Sequence, residues 1–288
     1  MRSKLFVPGT RPELFAKALT SEADAISIDL EDAVVESRKA EARAHVVEFL
    51  QSTNVLNSNK IIIVRCNAPD TAHFEADLLA VTQPALSMLN LPKVESAADV
   101  RKAAEAMRQA EAKNGVVTPV DILATIETPE GMRRALKIAT AHSRVAGLQL
   151  GLNDLFEPLN IDRFDIGNVH AAMFEVRMAA GEAGVFAVDG AYPDILDEVG
   201  FRAEAEMARR LGFCGKSCIH PRQVAPANEM FMPGDDEIAA AIRVLEASRK
   251  AESEGVGAFT VDGKMVDRPS IKRAKLVVAA RQGGSGSQ

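Results

Sequence analysis

No disulfide framework holds this chain together. Its three cysteines, Cys66, Cys214 and Cys218, are odd in number and lack paired spacing, so a reducing cytoplasm fits best. Long apolar runs are also missing: no stretch approaches the roughly 20 apolar residues of a membrane span, and no membrane partner is expected. The opening residues start basic but meet Pro8-Gly9 before any apolar run develops, so they are not expected to act as a signal peptide. Basic excess is lacking, with a formal net charge of -6, which leaves no electrostatic footprint for nucleic acid. An anionic substrate stays open, because a small site can be locally positive inside an acidic protein. There is no His/Cys cluster of zinc type. Pro8-Gly9-Thr10-Arg11-Pro12 stands where a dinucleotide-binding fold would carry its Gly-rich phosphate turn.

What is present is ordinary globular material, 47% hydrophobic and 26% charged over 288 residues, enough for a large core. Short β-rich runs at residues 4–7, 25–30, 60–66, 87–91, 121–126, 146–150, 185–188 and 215–219 alternate with stretches of helical apolar spacing. The helical stretches are 12–19, 37–50, 96–112, 128–141, 168–183 and 202–211. Ser96 and Asp99 form a cap-like pair, and Pro129 suits a helix start. Eight such units imply parallel strands with right-handed crossovers. The commonest closure is an α/β (β/α)₈ TIM barrel, here residues 1–222, and the missing phosphate turn disfavours an open doubly wound sheet. Residues 223–282 form a C-terminal helical/hairpin extension, with a helix over 235–255, a hairpin turning at Asp262-Gly263 and a last helix over 269–281. It is placed to cover the site or reach a neighbouring subunit. Residues 283–288, GGSGSQ, read as a flexible linker or cloning remnant.

Barrel chemistry sits at the C-terminal strand ends. These ends carry Asp29-Leu30-Glu31-Asp32, Arg65-Cys66-Asn67, Pro92-Lys93, Glu127-Thr128, Asn153-Asp154, Asp189-Gly190 and His220-Pro221. Glu127 and Asp154 lie one βα unit apart, so they face one mouth from adjacent strands. Two carboxylates held that close repel unless a cation or a shared proton intervenes. Oxygen ligation with few protein ligands suits Mg²⁺. Arg65 supplies a rigid fork for a carboxylate or a developing oxyanion. Plainer readings stand beside these. Asp29, Asp32 and Asp189 serve equally well as helix caps, Lys93 as a solvated or supporting residue and His220 as a structural histidine. His45, His73, His142 and His170 are read as structural. Cys66 points opposite to Arg65 along its strand and belongs to the core.

With these residues in place, the chain resembles the citrate-lyase β-subunit-like branch of the HpcH/HpaI aldolase superfamily, which includes malyl-CoA and citramalyl-CoA lyases. The resemblance is carried by Leu5-Phe-Val-Pro-Gly9 with Arg11-Pro12, Asp29-Leu-Glu-Asp-Ala-Val34, Val64-Arg-Cys-Asn-Ala68, Leu91-Pro-Lys-Val-Glu95 and Ile126-Glu-Thr-Pro-Glu-Gly131. Further along are Asp189-Gly190 with Tyr192-Pro-Asp194, Gly215-Lys with Ile219-His-Pro221, and the run from Gly257 to Asp267. It implies Mg²⁺ on Glu127 and Asp154, Glu31 and Asp32 as acids near the metal water, and Arg65 binding substrate and steadying an enolate. Asp267 would be the acid/base, and backbone amides at Leu152 and Asn153 would hold a keto-acid carboxylate. It also implies a homo-oligomer, a trimer or hexamer, whose extension reaches a neighbour's site. Gly151-Leu-Asn-Asp-Leu155 departs from that branch, which places a Glu directly before the metal Asp. The form here is closer to hydroxy-keto-acid aldolases of the same superfamily, which bears on the substrate rather than the chemistry.

The implied reaction is reversible retro-aldol cleavage of a 3-hydroxyacyl-CoA, such as malyl-CoA or citramalyl-CoA, into a 2-keto acid and an acyl-CoA. Alternatives are a citrate lyase β subunit acting on a citryl thioester, a malyl-CoA thioesterase, and a class II aldolase on free hydroxy-keto acids. A non-catalytic scaffold on a degenerate barrel is a further reading, disfavoured by intact Arg65, Glu127 and Asp154. Lys39 and Arg43, on the helix after the second strand, are candidate contacts for CoA phosphates.

Overall fold

The computed structural model describes residues 1–253, 255 and 257–284. Each of the eight apolar runs forms a strand: β1 Ser3–Pro8, β2 Ala25–Asp29, β3 Ile61–Arg65, β4 Met88–Leu91, β5 Asp121–Ile126, β6 Val145–Leu150, β7 Phe186–Ala191 and β8 Lys216–Cys218. They pair in parallel in chain order and β8 pairs back onto β1, closing the barrel.

Alternation along the strands sorts side chains into two layers. Outward residues such as Ile26, Ile28, Ile62, Val64 and Leu89 are fully or almost fully buried in the main apolar core. Inward residues fill the barrel. Ala25, Ile63 and Leu123 form a separate apolar cluster, with Met1, Ile61, Met88 and Phe186 packed around it. Inside, the buried Lys4 ammonium donates to the side-chain oxygens of Asn90 and Gln149. Register then sets the mouth, placing Asp29 beside Arg65 and Ile126 beside Leu150.

Several expectations shift. The helix expected over 128–141 is broken at Arg134 into Pro129–Arg133 and Ala135–Ala139. Helices Thr53–Leu56, Phe74–Val81, Leu152–Phe156 and Val224–Met230 were not predicted. β7 runs to Ala191, so Asp189 is a fully buried strand residue paired with Lys216 of β8, not a helix cap. The Ser96/Asp99 capping box is present as read.

The chain divides into compact units Met1–Phe231 and Met232–Gln288. Helix Val224–Met230 belongs to the first, anchored where Ser3 Oγ donates to Asn228 Oδ1 at 2.7 Å. In the second, helices Asp235–Ser253 and Arg268–Gly284 pack on each other, and β9 Phe259–Val261 pairs antiparallel with β10 Lys264–Val266. Gly283 and Gly284, read as the start of a linker, close the last helix, and residues 285–288 of that reading lie outside the described residues. No helix among the described residues is long and apolar enough to cross a membrane.

Candidate active site

Arg65 ends β3 and is surrounded by acids. Its Nε and Nη2 each donate to an Asp29 oxygen at 2.7 Å. Its Nη1 lies 2.8 Å from Glu31 Oε2 and 3.2 Å from Asp32 Oδ2. Burial opposes the guanidinium charge, but these carboxylates outweigh it and keep Arg65 firmly charged. Burial likewise pushes the Asp29 carboxyl up, and Arg65 more than reverses this. The Asp29 oxygens also accept the backbone N–H of Glu31 at 2.9 Å and of Ala33 at 3.0 Å, which folds the acidic loop over the mouth.

Lys93 sits across from it with φ 50°, a left-handed conformation that is uncommon for a long side chain. That twist aims its backbone N–H at Glu127 Oε1, 2.7 Å away. Its ammonium lies 2.7 Å from Glu31 Oε1 and 3.3 Å from Asp32 Oδ1. Glu31 is thus approached by two cations, yet neither oxygen makes an aligned hydrogen bond among the described residues. Burial pushes the Glu31 carboxyl up to about 7 against the pull of Arg65 and Lys93.

Glu127 follows β5 and is buried. Burial, then the charges of Asp154 and Glu31, push its carboxyl up to about 8. Gly151 permits this placement: a Cβ there would stand 2.4 Å from Glu127 Oε2. Asp154 lies on helix Leu152–Phe156, and partial desolvation of its carboxyl, then the charge of Asp32, push it up. Five carboxylates (Asp29, Glu31, Asp32, Glu127 and Asp154) therefore face two mouth cations, Arg65 and Lys93. Glu127 and Asp154 pair with neither, and a divalent cation would relieve the excess charge. Among the described residues no three His, Cys, Asp or Glu side chains are spaced to hold a metal unaided. Two carboxylates completed by water and substrate oxygens form a donor set that suits Mg²⁺.

The other expected residues differ in their surroundings. The amides of Leu152 and Asn153 open a helix and so have no intrahelical acceptor. Lys39 does not reach outward as expected of a phosphate contact. Its buried ammonium donates to the carbonyls of Leu30 at 2.8 Å and Glu31 at 2.7 Å, bracing the acidic loop. Arg43 is likewise engaged, with Nε 2.7 Å from Asp77. In the second unit Asp267 starts helix Arg268–Gly284, its Oδ1 accepting from Ser270 N at 3.1 Å and Oγ at 2.8 Å, and these bonds hold its carboxyl below the usual range. His220 Nδ1 accepts from the Arg222 amide at 3.2 Å, a capping role. Cys66 is buried, and burial pushes its thiol far up.

Sequence reasoning missed the charges inside the barrel. Lys4 is fully buried, bonds to Gln149 Oε1 and Asn90 Oδ1, and stands 3.9 Å from the Phe6 ring centroid. Burial and the Arg65 charge hold its ammonium well below the usual lysine range. The signal was available, since Lys4 is a charged residue inside an apolar strand. A cavity of about 510 Å³ opens beside the acidic loop, lined by Glu31, Asp32, Asn67, Ala68, His73 and Lys93 among others. A larger depression of about 590 Å³, lined by helix residues such as Leu136 and Met178, includes none of the strand-end acids.

A parallel barrel with converging carboxylates and a caged arginine at the strand ends defines a (β/α)₈ enzyme. More narrowly, the chain belongs to the HpcH/HpaI aldolase/citrate lyase family, whose sequence profile matches residues 2–221. It is 34% identical to the L-malyl-CoA/beta-methylmalyl-CoA lyase of Cereibacter sphaeroides, over 96% of this chain and 93% of that protein. It is 38% identical to citrate lyase subunit beta of Escherichia coli, over 96% and 92%. Among solved structures it is similar to CitE from Mycobacterium tuberculosis in complex with magnesium, acetoacetate and coenzyme A, with 32% identity, 98% and 100% coverage and TM-score 0.78. The citrate lyase beta subunit of that organism complexed with oxaloacetate and magnesium matches at 32% identity, over 81% and 97%, with TM-score 0.68.

Proposed function

We propose that this chain is a Mg²⁺-dependent carbon–carbon lyase that cleaves a 3-hydroxyacyl-CoA, malyl-CoA or citramalyl-CoA, reversibly into a 2-keto acid and an acyl-CoA. The observation that carries this reading is the Glu127–Asp154 pair, without a cation partner among the described residues, just beyond the adjacent strands β5 and β6, with charged Arg65 at the same mouth. Glu127 and Asp154 would hold the metal, and Glu31 and Asp32 its water. The metal would supply Lewis-acid activation of the substrate hydroxyl and charge neutralisation of the adjacent carboxylate. The amides of Leu152 and Asn153 bind the keto-acid carboxylate. Once the hydroxyl proton has passed to water, the C–C bond breaks and its electron pair passes to the thioester as an enolate. One Nη2 hydrogen of Arg65 has no acceptor among the described residues, and it steadies the enolate oxygen. Asp267, ionised at rest, takes up a proton from water and delivers it to the enolate carbon.

The test is turnover of malyl-, citramalyl- and citryl-CoA, and of free hydroxy-keto acids, by the purified chain without other subunits. Cleavage of the first two supports the reading. Turnover of citryl thioester only with partner subunits points to a citrate lyase β subunit, and turnover of free acids alone points to a class II aldolase.

Two outcomes follow from particular residues. Gly151→Ala drives a methyl group into Glu127, and Mg²⁺ affinity by calorimetry is expected to fall about 10–100-fold, the usual cost of disturbing a ligand's support. Asp267 is assigned to a neighbouring subunit's mouth in a homo-oligomer. Mixing inactive Asp267→Asn with inactive Arg65→Ala and reassembling the subunits should then restore part of the activity, because some mouths receive both intact residues. No recovery at any mixing ratio would place Asp267 within its own subunit's site, or outside the reaction.

A further inference from the structure

The turn that carries Asp154 is tied to a buried ion network. Arg163, 7% exposed, donates from Nε to Asn153 Oδ1 at 3.0 Å. Its Nη1 and Nη2 reach the two Glu204 oxygens at 2.7 and 3.0 Å, and Nη2 also reaches the Ala191 carbonyl at 3.0 Å. Glu204 in turn accepts from Lys216 at 2.7 Å, and Lys216 is 2.5 Å from Asp189. Two cations thus meet two carboxylates with almost no solvent. The net charge is zero, and three of the four ionic groups stand on rigid elements: β7, β8 and helix Glu198–Leu211. Such a network contributes little net stability but holds its members in one geometry. Among the described residues, its one link to a side chain on the site turn is Asn153, directly before Asp154. Gly190 on β7 adds a close approach, since a Cβ there would stand 2.6 Å from the Leu150 carbonyl and 3.7 Å from the Leu152 amide.

We propose that Arg163 is a positioning residue, whose bond to Asn153 fixes the Leu152 and Asn153 amides and the Asp154 carboxylate against Glu127. The arrangement explains why the guanidinium is oriented by Glu204 and a carbonyl before it meets Asn153: a fork held at two ends can set the third. It also makes residue 153 a side chain with a structural partner, so a change there acts on the keto-acid site through the backbone. The proposal rests on the metal and keto-acid roles given above.

The experiment compares Arg163→Lys, Asn153→Ala and the double variant with the wild type. Asn153→Ala leaves the ion network whole and controls for misfolding. Pyruvate affinity in saturating Mg²⁺ is expected to fall about tenfold in each single variant, the worth of one charge-assisted hydrogen bond. The double variant should fall no further, because both changes remove the same bond. With acyl-CoA substrate, KM rises and kcat changes little. Hydrogen exchange at the amides of Leu152–Phe156 should quicken in both single variants, with β5 and β6 unchanged. Wild type failing to bind pyruvate with Mg²⁺ would defeat the functional reading alone, and exchange would still decide the positioning role. Additive losses in the double variant, or unchanged exchange across 152–156, would overturn the proposal.

Discussion

Replacing Arg65 with alanine is expected to lower kcat by about 10²–10³, the loss seen when one donor to a developing oxyanion is removed. A second effect accompanies it. Asp29 is 2% exposed and Glu31 5% exposed, and both would lose their guanidinium. Breaking a buried pair from one side costs about 3–5 kcal/mol, so the melting temperature should fall clearly. Kinetics are therefore measured well below the transition, with circular dichroism reporting the folded fraction. Arg65→Lys separates the two roles. A single ammonium keeps the charge but cannot serve both Asp29 oxygens and Glu31 together, so stability should return further than turnover. Near-wild-type kcat in Arg65→Ala would remove the enolate role.

Glu127→Gln is expected to abolish measurable Mg²⁺ binding and turnover while making the metal-free protein more stable at high pH. The sign follows from protonation. Glu127 and Glu31 hold their protons up to about 8 and about 7 in the folded chain, against an ordinary 4.5. Between those values the folded state binds protons that the unfolded state has released. Stability of the metal-free wild type therefore falls as pH rises from roughly 4.5 to 8. The neutral amide removes the Glu127 share, on the order of a few kcal/mol by pH 8. Wild type should also release about one proton on binding Mg²⁺ at pH 7, and the variant should release none attributable to this site. Chemical denaturation at pH 5 and pH 8, with calorimetry in two buffers of different ionisation heat, checks both statements. A pH-independent stability would mean that Glu127 is already ionised in the metal-free chain.

Much of this was legible in the sequence, and the reasons differ by element. All eight strands were found because each is a short apolar run between polar breaks. The closeness of Glu127 and Asp154 was legible because a barrel places consecutive strand ends around one mouth. For Asp189 the cap and strand-end readings stay level in the sequence, because nothing local shows that Lys216, 27 residues later, neutralises it in the interior. Lys39 and Arg43 suggested phosphate binding by sign alone, whereas their partners are carbonyls and Asp77. Short helices such as Leu152–Phe156 lack the length for a periodic signal. The left-handed Lys93 carries no sequence mark, since glycine or asparagine would be the ordinary choice there. Its position is set by Glu127, Glu31 and Asp32, which come from other strands.

The central claim is metal-dependent breakage of a carbon–carbon bond in a CoA thioester. Mass spectrometry of the products formed from citramalyl-CoA, before and after EDTA and again after added Mg²⁺, tests it most directly. The expected result is pyruvate and acetyl-CoA in equal amounts, lost with EDTA and regained with Mg²⁺. Free CoA with an intact hydroxy diacid, or cleavage that EDTA leaves unchanged, would contradict it.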